Sequence, residues 1–147
     1  MEGDSVDPFK RLSHTTWTCK YHVVWIPKYR RKELYGKKRT IVVQAIKKWA
    51  GIKGVEILEG HACRDHIHLC LSIPPKYSVS QIIGVLKGKS ASEVMSFGSR
   101  TSRMVRGRRF WARGYFVSTV GLDEGTVRDY IRSQEAEDRR QEELGFE

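Results

Sequence analysis

The sequence predicts an α+β domain of the ferredoxin-like, split βαβ kind: a central antiparallel sheet, helices on one of its faces, and an additional C-terminal helix. Three observations predict it. Stretches rich in β-branched and aromatic residues alternate with stretches of helical periodicity in the order β α β β α β. Prolines or glycines stand where several of these stretches stop. The length, 147 residues, fits a single domain over 1–147, divided into a polar leader (1–15), a sheet-and-helix body (16–120) and a terminal region (121–147).

Each element has its own warrant. Thr16 to Ile26 (TWTCKYHVVWI) reads as a strand stopped by Pro27, and Pro27 to Lys38 as a basic loop. Thr40 to Ala50 places Ile41, Ala45, Ile46 and Trp49 at helical spacing, with Gly51 expected as the C-cap. Val55 to Ala62 and His66 to Ile73 read as two strands around a polar turn at Cys63 to Asp65, and Pro74 and Pro75 end the second. Ser78 to Val94 is an amphipathic helix that either Ser78 or Ser80 can cap. The Arg-rich stretch from Ser96 to Arg109 is expected as a loop and Tyr115 to Val120 as the fourth strand. Thr126, with Asp129 three residues on, announces a last helix reaching about Glu143. Trp25, Trp49, Trp111 and Tyr115 are expected in the core, and no internal repeat is visible.

Charge points to the partner. Lys and Arg total 27 against 17 Asp and Glu, a formal net charge of +10, which favours a polyanion and argues against an acidic or membrane-embedded protein. The excess is uneven: residues 123–147 carry a net −5, so the first 122 carry +15. Two basic stretches stand out, Lys28 to Arg39 and the six arginines between Met95 and Leu122. Three cysteines without a CxxC encode neither a disulfide framework nor a four-Cys zinc site, and no secretory leader or membrane-length apolar run is visible. The expectation is a soluble, unexported protein of the reducing cytoplasm.

Two constellations carry chemistry. On a strand, Ile67, Leu69, Leu71 and Ile73 share one face while His66, His68, Cys70 and Ser72 share the other, so two imidazoles stand side by side. Such a pair suits a cation; taken alone it reads more readily as two solvated histidines on an open sheet face, and Cys63 offers a weaker zinc alternative. On the terminal helix, Tyr130 and Gln134 are one turn apart, and Val127 and Ile131 form an apolar pair able to dock it. A helical tyrosine reads either as packing or as a nucleophile that something must activate, because a phenol near pKa 10 is mostly protonated. Gly84 to Ser90 (GVLKGKS) imitates a phosphate-binding loop, but it has three residues between its glycines where four are required and falls inside a helix, which excludes an NTPase reading.

Tyr21 to Arg31 (YHVVWIPKYRR), Asp65 to Leu69 (DHIHL), Ser78 to Gln81 with Leu86 to Ser90 (SVSQ and LKGKS), Phe110 to Gly121 (FWARGYFVSTVG) and Tyr130 to Gln134 (YIRSQ) together resemble the single-tyrosine HUH transposases of the insertion-sequence 200/605 class, transposase A type. The likeness runs in order from about Thr16 to Gln134, leaving the leader and the Arg100 to Arg109 stretch unaligned. It implies a dimeric DNA transposase that cuts and rejoins single-stranded DNA at insertion-sequence ends and recognises hairpins there. Carried over, His66, His68 and Gln134 would hold a divalent ion, Mg or Mn, and Tyr130 would be the nucleophile. Gly121 would be the hinge before the tyrosine helix, which can complete the active site in trans. Lys28, Arg30, Arg31, Lys87, Lys89, Arg103, Arg106, Arg108 and Arg109 are the basic residues expected to meet DNA; no nucleotide triphosphate and no membrane are expected. Two alternatives are a non-catalytic single-stranded nucleic-acid-binding module on the same topology and an HUH nickase of replication or plasmid transfer.

Overall fold

Strand alternation builds the molecule's centre. The computed structural model describes residues 9–12, 15–97, 109–121, 129, 131–132 and 144–145. In it, β1 (Lys10–Leu12) and β2 (Thr15–Trp17) form a small hairpin; β3 (Lys20–Trp25), β4 (Glu56–Cys63), β5 (His66–Ser72), β6 (Phe116–Val120) and β7 (Leu144–Gly145) form the main sheet. Two long helices, α1 (Gly36–Ile52) and α2 (Val79–Phe97), connect the strands. The sheet order is β6-β3-β5-β4-β7 and every pairing in it is antiparallel. Leaving β7 aside, this is the split βαβ arrangement, with an α+β class as expected.

The odd residues of β3 and β5 carry the core. Val23, Trp25, Ile67, Leu69, Leu71 and Ile73 meet Val42 and Ile46 of α1 and Ile82, Ile83 and Leu86 of α2. Burial of these aliphatic and aromatic side chains is the main force holding the helices to one face. Trp25 and Trp111 are buried within this core and meet edge to face at 5.8 Å, while Trp49 and Tyr115 pack at its margin half-buried.

Several boundaries differ from the sequence reading. The first strand is two: residues 18–19 separate β2 from β3, and β2 turns back to pair with β1 inside the expected leader. Helix α1 begins at Gly36 and runs through Gly51; Lys53 is its C-cap, and Gly54 takes the left-handed φ of +70° that a side chain disfavours. Ser78 is the cap of α2, in a reciprocal pair: the Gln81 N–H donates to Ser78 Oγ at 3.1 Å and the Ser78 N–H to Gln81 Oε1 at 2.8 Å. The phosphate-loop imitation lies inside α2. Strand β7, which pairs Leu144 with Ala62 and Gly145 with His61, is two residues long and carries no pattern that a sequence reading can detect.

One irregularity decides what faces what. In β4, Ile57 is registered with Leu71 but Glu59 with Cys70, so Leu58 is an extra residue. Unbroken alternation from Ile57 would aim Glu59 and His61 at the helices. The bulge turns Glu59, His61 and Cys63 to the opposite face.

Candidate active site on the uncovered face of the sheet

The face away from the helices gathers titratable side chains from three strands. Register places His61 opposite His68, Cys63 opposite His66, and both His22 and Glu59 opposite Cys70. The His66 and His68 rings lie 4.5 Å apart between centroids, and His22 meets His68 edge-on at 5.6 Å. The alternation predicted for β5 thus holds, and the two histidines of the motif do share a face.

His66 is oriented by its neighbour. Its Nδ1–H donates to Asp65 Oδ1 at 2.6 Å, and Arg30 Nε donates to Asp65 Oδ2 at 3.1 Å. Burial works against the Asp65 carboxylate, but the hydrogen bond and charge of His66, together with the Arg30 guanidinium, outweigh it and hold Asp65 below the usual carboxylate range. With Nδ1 engaged, the neutral imidazole keeps its lone pair on Nε2. This carboxylate–histidine pairing fixes ring and tautomer in the manner common to metal-binding histidines.

This face is not the open, solvated surface that one sequence reading allows. Cys70, Val120 and Ile131 are buried together, with Leu58 against them. Arg132 reaches Glu59, only 8% exposed, at 3.1 Å and Asp129 at 3.6 Å. Residues 129, 131 and 132 are helical, and Ile131 docks that segment on the chain's own sheet. Tyr130, Gln134, Val127 and Thr126 lie outside the described residues.

Two histidines on this face escaped the sequence reading as site residues. His22 was legible in principle, because it alternates with the core residues Val23 and Trp25. His61, fully buried, was not: only the bulge at Leu58 brings it round. Burial lowers the pKa of His22, whose buried Nε2 has no hydrogen-bond partner among the described residues.

The basic residues divide. Lys28, Arg30 and Arg31 lie in one turn beside Asp65, with Arg30 bound to that carboxylate and Arg31 about 4.0 Å from Glu33. Lys87 has a structural task, since its ammonium donates to the carbonyls of Ala112 at 2.9 Å and Gly114 at 2.7 Å. Burial, and secondarily Arg109, lowers its pKa. Trp111 completes this clamp by donating Nε1–H to Lys87 O at 3.1 Å and Ser90 Oγ at 3.0 Å. Lys89 lies 4.5 Å from the Trp49 ring centre, and Arg109 is exposed. Arg103, Arg106 and Arg108 lie outside the described residues. Gly121 follows β6 directly; a side chain there would meet nothing within 4 Å, so this conformation does not itself demand glycine.

The donor chemistry suits a divalent ion: two adjacent imidazoles, one with its ring already oriented. Among the described residues no three His, Cys, Asp or Glu side chains converge, so Cys63 does not complete a zinc set with the histidines there. None of the described helices is long and apolar enough to cross a membrane.

Comparison with known proteins gives the family and the fold. The family model of IS200-like transposases matches residues 15–134. The transposase for insertion sequence element IS200 of Salmonella typhimurium is 47% identical over 137 residues, covering 93% of this chain and 90% of that protein. The ISDra2 transposase TnpA of Deinococcus radiodurans is 27% identical over 119 residues, covering 80% of this chain and 85% of that protein. A crystal structure assigned as a transposase from Deinococcus radiodurans R1 is similar with a TM-score of 0.66 and 25% identity, covering 85% of this chain and 96% of the other. A REP-associated tyrosine transposase bound to a REP hairpin has the same fold, with a TM-score of 0.61 at 15% identity, covering 83% of this chain and 70% of the other.

Proposed function

The chain belongs to the IS200-like transposases, and from that premise we propose that it cuts and rejoins single-stranded DNA at the ends of an insertion sequence through a 5′-phosphotyrosine on Tyr130. The observation that carries this reading is the His66–His68 pair, its first ring oriented by Asp65, on the same sheet face that receives Ile131 and Arg132, the two residues that follow Tyr130 in sequence. An HUH nickase would use the same histidine pair; the family match over residues 15–134 and the 47% identical IS200 transposase favour the transposase reading over it.

In the proposed reaction, the Tyr130 oxygen attacks the scissile phosphorus, a tyrosine–phosphate bond forms, and the bond from phosphorus to the 3′ oxygen breaks. The phenol loses its proton and the departing 3′ oxygen gains one. Attack by the 3′-OH of a second strand reverses these steps, and because one phosphodiester is exchanged for another, no nucleotide triphosphate is required. His66, His68 and Gln134 would hold a divalent ion, which when bound supplies positive charge to the nonbridging oxygens as the negative charge of attack develops. Neutral imidazole and amide ligands leave that charge uncompensated, and nitrogen ligands favour Mn over Mg. Asp65 keeps His66 in the ligating tautomer, and Arg30 holds the Asp65 carboxylate in place through its second oxygen.

The rest of the reading concerns partners. Hairpins at the element's ends, a homodimer, and a tyrosine helix that swings about Gly121 between its own sheet and the partner's belong to the same proposal. Its test is direct: His66→Ala, or excess chelator on the unaltered protein, should abolish cleavage of labelled single strands copied from the DNA flanking the reading frame. Unchanged cleavage under chelation would overturn the role given to the ion.

A further inference from the structure

The turn that orients Asp65 also holds out an aromatic ring that neither the core nor the proposed chemistry uses. In the Lys28–Arg31 turn the Arg31 N–H donates to Lys28 O, and both central residues have positive φ, Tyr29 at 61° and Arg30 at 51°. That is the signature of a type I′ turn, where Asn and Gly are the favoured occupants. A tyrosine and an arginine there are each strained, and such strain persists only where the surroundings overdetermine it. They do so here. On one side Lys28 N–H donates to Phe110 O and Ala112 N–H to Ile26 O, at 2.9 Å each; on the other Arg30 grips Asp65 and Leu34 N–H donates to Arg64 O at 3.0 Å.

Nothing in the core explains the residue so held. The Tyr29 side chain is 75% exposed, the most open of the large hydrophobics described. Two mobile side-chain cations lie over its ring, Lys28 Nζ at 5.3 Å and Arg31 Cζ at 5.4 Å from the centre, where a base would displace them toward its own phosphates. A held turn, an exposed aromatic ring and positive charge at that ring are together what an unpaired nucleotide needs: a surface for its base and partners for its phosphate. One contact links this turn to the site, since Arg30 binds the same carboxylate that orients His66.

Resting on the proposed single-strand chemistry, we propose that Tyr29 is a stacking platform for an unpaired base of the DNA strand near the scissile phosphate, with Lys28 and Arg31 taking the adjoining phosphates. The ligand is a single-stranded nucleobase. Duplex offers no free base face for this ring.

The test measures binding by anisotropy, with labelled single strands copied from the DNA flanking the reading frame and a series carrying one abasic position each. Tyr29→Ala should weaken binding about 5-fold or more, the low end for losing one stacked base, and leave the salt dependence unchanged because no charge is removed. Tyr29→Phe and Tyr29→Trp should bind as the unaltered protein does. One abasic position should weaken the unaltered protein and leave Tyr29→Ala unaffected. Tyr29→Gly relieves the left-handed backbone, so it should melt no lower than the unaltered protein while binding as poorly as Tyr29→Ala; this separates stacking from folding. Unchanged affinity of Tyr29→Ala, or weakening by Tyr29→Ala that is the same on every abasic strand, would overturn the proposal. Absence of an adduct in the unaltered protein would count against the cleavage reading instead.

Discussion

His22 pairs across the sheet with Cys70 and lies edge-on to both His68 and Phe116. Burial disfavours its protonated form, so its folded pKa lies below the ordinary imidazole value of about 6.5. As pH falls through that value the unfolded chain takes up a proton that the folded chain resists. The stability His22 contributes is therefore full above about pH 6.5 and is lost as pH drops toward and through the folded value. Melting of metal-free protein at about pH 7.5 and about pH 5 should show a smaller loss in His22→Gln than in the unaltered chain; an equal loss would place the acid sensitivity elsewhere. At this scale the sequence was informative where alternation governs and silent where a contact is made across the fold. His66 and His68 could be placed from their own strand, whereas the Arg30–Asp65 bond joins residues 35 apart and depends on a backbone conformation that Tyr-Arg does not advertise. Lys87 illustrates the same limit: a lysine on an amphipathic helix reads as a solvent or DNA contact, and only the fold brings two carbonyls within its reach.

The elements that follow simple periodicity were legible, and those set by exceptions were not. Helix α2 carries its own cap and apolar stripe, and β5 its own alternation, so both can be placed from sequence. The bulge in β4 leaves no local mark, yet it decides that Glu59 and His61 face the candidate site. Glu59 is then a buried carboxylate on the sheet that receives Arg132. Among the described residues, the terminal helical segment meets the sheet through this ion pair and through Ile131, which is fully buried against Cys70 and Val120. Ile131→Ala should cost about 2–5 kcal/mol, the usual range for truncating a buried aliphatic side chain. Because the loss falls on docking, amides of β7 and of residues 129–132 should exchange faster with deuterium while those of β3 and β5 keep their protection. Uniform loss across the sheet would show that the segment folds as part of the core.

For the whole molecule, charge was the first clue, and the fold assigns it an arrangement. The first 122 residues, net +15, include the strained, basic Lys28–Arg31 turn at the end of the sheet where His66, next to Asp65, begins β5. The net −5 of residues 123–147 belongs to a region whose described residues pack on the sheet face opposite the helices and on the β4 edge. Family membership explains why so much of this was legible: five motifs in order fix more than any one of them, and the strands and helices that present them follow ordinary periodicity. The central claim remains the covalent step, and one measurement meets it directly. The protein is incubated with Mn and labelled single strands copied from the DNA flanking the reading frame, then denatured and separated on a gel. A denaturation-resistant protein–DNA band is expected, with the DNA's 5′ phosphate mapped to the peptide containing Tyr130, and Tyr130→Phe should bind the strand normally yet give no band. Cleavage without any adduct, or an adduct that persists in Tyr130→Phe, would contradict the account.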